Sequence, residues 1–243
     1  MAITIIENPP AEAQLAKFLL YGAPGSGKTI AACGLPSPIL YINCEGPDAV
    51  TTGRRLHAES RILEVRPETV DDLRAAVAFA LDPRNEIESI ALDTIGEAYK
   101  LVLSELSSSS PRPSLQNYGD SNVTIARLAR TLRDAPLNVA ILAHEEVLDN
   151  DDDRIVRPST GGKKLPEEVM AMMSIVAYTA VVPAHEEKPK RYVGQLVEAK
   201  GRRAKDRSGV LGDVRDLDLG EWIAAIRGAT TESAAVAAEK ESK

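Results

Sequence analysis

Cysteine is almost absent from this chain of 243 residues, which holds only Cys33 and Cys44. Two thiols cannot build the disulfide framework of a small secreted domain, and with three histidines in the whole chain they do not make a zinc-ligand set. Aromatic residues make up 4% of the chain, too few for an extended platform of rings on which bases could stack. No apolar run approaches the ~18 residues of a membrane span. The opening MAITIIENPPAEAQ has neither the basic start nor the cleavage site of a signal peptide, so the expectation is a cytoplasmic protein without a membrane partner. Positive charge is also short: the net charge of -7 argues against a protein that coats nucleic acid with its whole surface, though it leaves room for a local basic site.

What is present is an ordinary globular balance, 44% apolar and 27% charged, in a chain long enough for one large domain. Short apolar or β-branched runs at 16–22, 37–43, 61–65, 88–94 and 137–144 alternate with helical patterns near 27–34, 69–81, 95–106 and 120–134. That alternation predicts an α/β fold with a mostly parallel sheet flanked by helices. Two last runs, 174–182 and 191–200, are separated by PAHEEKPK and no helix, so they predict an antiparallel hairpin at the C-terminal edge. Segments 107–119 and 145–166 read as long loops, the first rich in Ser and Pro, the second carrying DNDDD and a Gly-Gly-Lys-Lys run. Residues 1–227 are expected to form the domain, closed by a short helix around Trp222, and 228–243 a flexible tail.

The strongest chemical signal is Gly22-Ala23-Pro24-Gly25-Ser26-Gly27-Lys28-Thr29, a full G-x-x-x-x-G-K-[ST] motif placed between an apolar run and a helical one. Its glycines let backbone N–H groups turn inward around phosphates, Lys28 reaches the outer phosphates, and the Thr29 hydroxyl suits Mg²⁺. A second magnesium-side carboxylate is expected at Asp93, which ends the run Ser89-Ile90-Ala91-Leu92; the competing reading is an N-cap for the next helix. Glu45, after Ile39-Leu40-Tyr41-Ile42-Asn43, is the candidate to activate a water, against the alternative of an exposed loop carboxylate. His144, after Val139-Ala140-Ile141-Leu142-Ala143, is a candidate sensor of the outer phosphate, against a histidine satisfied locally. Strand ends in such a sheet share one crevice, which would gather these residues around the phosphate loop.

Basic residues concentrate late. Between 187 and 207 eight Lys and Arg stand against Glu187, Glu198 and Asp206, a local excess of +5 in an acidic chain. Such a patch fits an anionic partner: nucleic-acid phosphates, or the outer phosphate of ATP on a neighbouring subunit, approached by Lys205 and Arg207.

With GAPGSGKT (22–29), YINCEG (41–46), IALDT (90–94), Asn117-Tyr118-Gly119, ILAHEE (141–146), Gly162-Lys163 and Lys205-Asp206-Arg207-Ser208-Gly209 in this order, the chain resembles RecA-like P-loop ATPases over about residues 15–222. More narrowly it resembles the phage-encoded nucleotide-binding proteins associated with single-strand annealing and recombination. The resemblance implies a RecA-like P-loop NTPase core, ATP and Mg²⁺ as cofactors, and ATP hydrolysis stimulated by DNA in the host cytoplasm. It also implies a homo-oligomer assembling on nucleotide or single-stranded DNA, with an annealing or single-strand-binding protein as a possible partner. It makes Glu45 the general base, His144 the sensor, and Lys205 and Arg207 groups acting across a subunit interface. The loops 107–119 and 145–166 would face DNA, with Arg112, Arg154, Arg157, Lys163 and Lys164 as phosphate contacts, although Asp149, Asp151, Asp152 and Asp153 would repel it there. Two alternatives share the motif. One is a nucleotide-gated binding module with slow hydrolysis that recruits a recombination or replication protein. The other is a small-molecule kinase, disfavoured because the arginines cluster late instead of forming a lid over the phosphates.

Overall fold

The computed structural model describes residues 15–108, 112–150, 153–185 and 188–229. The chain begins with β1 (Lys17–Gly22), α1 (Lys28–Cys33), β2 (Ile39–Asn43), α2 (Thr51–Leu56), β3 (Ile62–Val65) and α3 (Val70–Leu81). It continues through β4 (Ser89–Asp93), α4 (Ile95–Leu106), α5 (Leu115–Asp134), β5 (Asn138–Asn150), β6 (Asp153–Ser159) and α6 (Leu165–Met172). Strands β7 (Ile175–Val182), β8 (Arg191–Gln195), β9 (Lys205–Asp206) and β10 (Val214–Asp216) follow, and a last helix, α7, covers 219–229.

The sheet order is β10-β8-β7-β1-β5-β4-β2-β3, with β6 on β5 and β9 on β7. From β7 to β3 all neighbours are parallel, while β8 returns antiparallel along β7, the expected edge hairpin. Strands β1, β2 and β4 are buried at every position. Their side chains alternate between two cores, as the period of two requires. Leu19, Tyr21, Leu40, Ile42, Ile90 and Leu92 pack with α3, α4, α5 and α6, whereas Phe18, Leu20, Ile39, Tyr41 and Ala91 pack with α1 and α7.

α7 is docked firmly through Trp222. Its ring is fully buried, lies 6.0 Å from the Phe18 ring, and its Nε1 donates to the Asp216 carbonyl at 2.8 Å. Gly194 leaves the space this indole fills, since a Cβ there would come within 2.5 Å of Cη2. Trp222→Ala should therefore cost about 3–5 kcal/mol, read as a drop in the urea midpoint. A loss below about 1 kcal/mol would mean that α7 is not part of the cooperative core.

Two expected loops are corrected. Segment 145–166 is mostly strand: β5 runs on through Asn150 and turns into β6, with pairs from His144–Ser159 to Asn150–Asp153. Only 160–164 joins β6 to α6, while 151–152 lie outside the described residues. Segment 107–119 is shorter than expected, because α5 starts at Leu115 under a capping box in which Ser114 Oγ accepts from the Asn117 N–H. Asn117-Tyr118-Gly119, at the end of that expected loop, is thus helical, and 109–111 lie outside the described residues. The run at 191–200 is strand only to Gln195. The expected tail beyond 229 also lies outside the described residues.

Candidate functional site

The phosphate loop leaves the buried strand β1 and enters α1 by positive-φ turns that glycine tolerates, φ 76° at Gly25 and 93° at Gly27. The loop is fastened from both sides. Ser26 Oγ lies 2.6 Å from Thr179 Oγ1 of β7, and Thr179 in turn donates to the Tyr21 carbonyl at 3.1 Å. Lys28 is buried, and its ammonium donates to the Gly22 and Ala23 carbonyls at 2.9 and 3.0 Å. Burial lowers its pKa, opposed by the charges of Asp93, Glu45 and Glu145.

Register brings the other strand ends alongside. Gly22 pairs with His144 on β5, and β4 ends at Asp93 beside Leu142 of β5 and Asn43 of β2. Asp93 is almost fully buried, with Oδ2 accepting from Thr29 Oγ1 at 2.9 Å and from the Tyr41 hydroxyl. Burial raises its carboxyl above the usual range despite these two donors and Lys28. The same burial and the neighbouring Asp93 charge push the Tyr41 phenol well up, so it remains a donor. The N-cap of α4 is Thr94, whose Oγ1 accepts from the Glu97 N–H, which leaves Asp93 free of the capping role.

Glu45 is held on a built turn. Asn43 Oδ1 accepts from the N–H groups of Glu45 and Gly46 at 3.0 and 3.1 Å, while its Nδ2 donates to the Gly46 carbonyl and to Glu64 Oε1. Glu45 Oε1 accepts from Thr94 Oγ1 at 2.9 Å and lies 2.9 Å from His144 Nε2. Burial pushes the thiols of Cys33 and Cys44 up to about 12, so neither offers a thiolate.

Together these residues line an open cleft of about 340 Å³ that includes Pro24 to Ile30, Glu45, Asp93, Thr94, His144 and Tyr192. A larger groove of about 380 Å³ between α3 and α5 is apolar and holds none of these groups. The cleft fits a magnesium nucleotide. A Cβ at Gly25 would meet nothing within 4 Å, so the loop faces open space, and a hydroxyl beside one carboxylate suits a cation that keeps waters and takes phosphate oxygens. Among the described residues no cluster of three or more His, Cys, Asp or Glu forms an all-protein metal cage.

The remaining expected site residues lie elsewhere. Lys205 pairs opposite Val176, which faces Leu19, three residues before the loop begins. Lys205 Nζ and Arg207 Nη2 both donate to the Ala171 carbonyl, at 3.3 and 3.1 Å, away from the chain's own cleft. Burial, helped by Arg207, lowers the Lys205 pKa to about 8. Arg157 is mostly buried and held by Glu146 at 2.5 Å and Glu167 at 3.8 Å, and Arg154 lies 3.9 Å from Asp149. Arg112, Lys163 and Lys164 are exposed, the two lysines on the 160–164 turn whose glycines lie against Tyr99 and Asn122. Thr179 and Tyr192 escaped the sequence reading, since both reach the site from the edge hairpin with no motif of their own.

A phosphate loop between β1 and α1, with Asp93 two strands away in the same crevice, defines the class: this is a P-loop ATPase fold. The chain belongs to the AAA domain family, whose model matches residues 14–208. No curated protein matches it. Among solved structures it is similar to a KaiC-like protein of the hyperthermophilic archaeon Pyrococcus horikoshii OT3, at 13% identity and a TM-score of 0.43, over 82% of this chain and 83% of that one. Among the described residues no helix is long and apolar enough to cross a membrane.

Proposed function

We propose that this chain binds ATP with Mg²⁺ across the phosphate loop and hydrolyses it, as an oligomer that engages single-stranded DNA in recombination. The observation that carries the catalytic half is the contact of Glu45 Oε1 with both Thr94 and His144, in the cleft that also holds Lys28, Thr29 and Asp93. Glu45 takes the proton of an attacking water, His144 holds the Glu45 carboxylate in place and reports on the outer phosphate, and Lys28 draws charge from it. Thr29 and Asp93 would hold Mg²⁺, which when bound neutralises charge on the phosphates.

The DNA half rests on surface charge. Arg112, Lys163 and Lys164 are exposed, and the late basic segment adds its local excess of positive charge, but Arg157 is already neutralised by two carboxylates. In this reading Lys205 and Arg207 act on a neighbouring subunit, because register sets them toward the opposite end of the strands from the loop. The paired charges of the β5–β6 hairpin favour a second reading, the nucleotide-gated module that recruits a protein.

ATP turnover at low salt, without DNA, with single-stranded DNA and with duplex, tests both. Stimulation by the single strand, lost steeply as salt rises, is the expected result. Slow turnover indifferent to either DNA would leave the gated module, and no Mg²⁺-dependent turnover at all would sink the hydrolytic reading.

A further inference from the structure

The nucleotide cleft has two unlike ends. Glu45, Asp93 and His144 lie to one side of β1, on or just after β2, β4 and β5, while Tyr192 lies two strands to the other side, on β8. Two strand spacings are roughly 10 Å. Among the described residues lining the cleft, Tyr192 is the one Phe, Tyr or Trp. It sits on the same sheet face as Gly194, two residues on, whose missing side chain makes room for Trp222; this is the face that α1 covers. The phenol packs on the phosphate loop itself, since a Cβ at Gly27 would come within 2.7 Å of its ring. The exposed Lys190 rests over the ring with Nζ 4.9 Å from the centroid, so that π-face is reachable from solvent.

We propose that Tyr192 is the base-binding residue of the cleft: a purine stacks on the ring face now covered by Lys190, while the triphosphate runs along the loop toward Glu45 and His144. The inference rests on the P-loop reading and extends it to the uncharged end of the ligand. Phosphate contacts alone carry no preference for a base, and an aromatic face beside the loop, on the side away from Glu45 and His144, is what a purine nucleotide needs at its other end. It also assigns a purpose to the tight Gly27 contact, which fixes the ring against the loop so that base and phosphates are positioned by one rigid unit.

The test is calorimetric titration of the full chain with Mg²⁺ and either ATP or inorganic tripolyphosphate, which has the phosphates without the base. Tyr192→Ala should weaken ATP about tenfold and leave tripolyphosphate within about twofold, whereas Tyr192→Phe should keep both. Tyr192→Leu, which fills the space without a π-face, should behave as the alanine variant does and serves in its place if the smaller residue unfolds the edge hairpin. Equal weakening of both ligands by Leu and Ala would mean that the ring only supports the loop, and no change in either would remove it from the site; both outcomes overturn the proposal. If wild type bound neither ligand, or if Lys28→Ala bound both as wild type does, the P-loop reading itself would fall, a result distinct from failure of the base subsite.

Discussion

Glu45→Gln is expected to bind Mg²⁺-ATP about as tightly as wild type while turning it over at least ~10²-fold more slowly, the usual scale for removing a general base. The amide keeps an oxygen that can accept from Thr94 Oγ1, and the turn that Asn43 builds uses the backbone of Glu45, not its carboxylate. Geometry is therefore retained and only the ability to take a proton is lost. The control is His144→Asn, which removes the neighbour at 2.9 Å and should lower turnover by a smaller factor, since it leaves the carboxylate present but less fixed. Single-turnover rates alongside equilibrium binding separate the two effects. Turnover by Glu45→Gln close to wild type would remove Glu45 from the chemistry and leave it a partner of His144.

Asp93→Asn should pull stability and activity in opposite directions. A buried carboxylate raised above its ordinary range binds a proton in the folded chain that the unfolded chain releases. The stability of the ligand-free protein consequently falls as pH rises through the interval between the ordinary and the raised value, and the loss is complete above it. Asparagine fills the same space, can still accept from Thr29 and Tyr41, and carries no charge. The variant should melt higher near neutral pH, by roughly 2–4 °C for each ~1 kcal/mol relieved, and lose most of the pH slope in that interval. It should also lose the dependence of nucleotide binding on Mg²⁺, with turnover falling to background. A variant less stable than wild type at neutral pH would mean that the attraction between Asp93 and Lys28 outweighs the cost of burying the charge.

Local patterns revealed the loop, its strand and its helix, because each depends on neighbours in sequence. Asp93, Glu45 and His144 were legible for the same reason, as polar residues that end apolar runs. The β5–β6 hairpin was not. Asp149 to Asp153 and Pro158 look like a solvated loop, and only the pairing of Val147 with Val156 and Glu146 with Arg157 makes strands of the flanks. Arg157 reads as a cation open to phosphate, but the hairpin sets Glu146 directly opposite it and α6 brings Glu167 within 3.8 Å. Thr179 and Tyr192 depend on how β7 and β8 register against β1, which one chain's periodicity does not fix.

The hold of Lys28 on the carbonyls of its own loop bears on selectivity. Its ammonium donates to the Gly22 and Ala23 carbonyls and, at 3.4 Å, to Ser26 Oγ before any ligand arrives, so a phosphate must compete with three hydrogen bonds already made. A monoanion gains little from that exchange, whereas a triphosphate gains several charge-assisted bonds in return for three neutral acceptors. In the proposed ATP-binding role the lysine would set a threshold on ligand charge, and affinity should climb more steeply from mono- to di- to triphosphate than it would in a loop whose lysine waited in water.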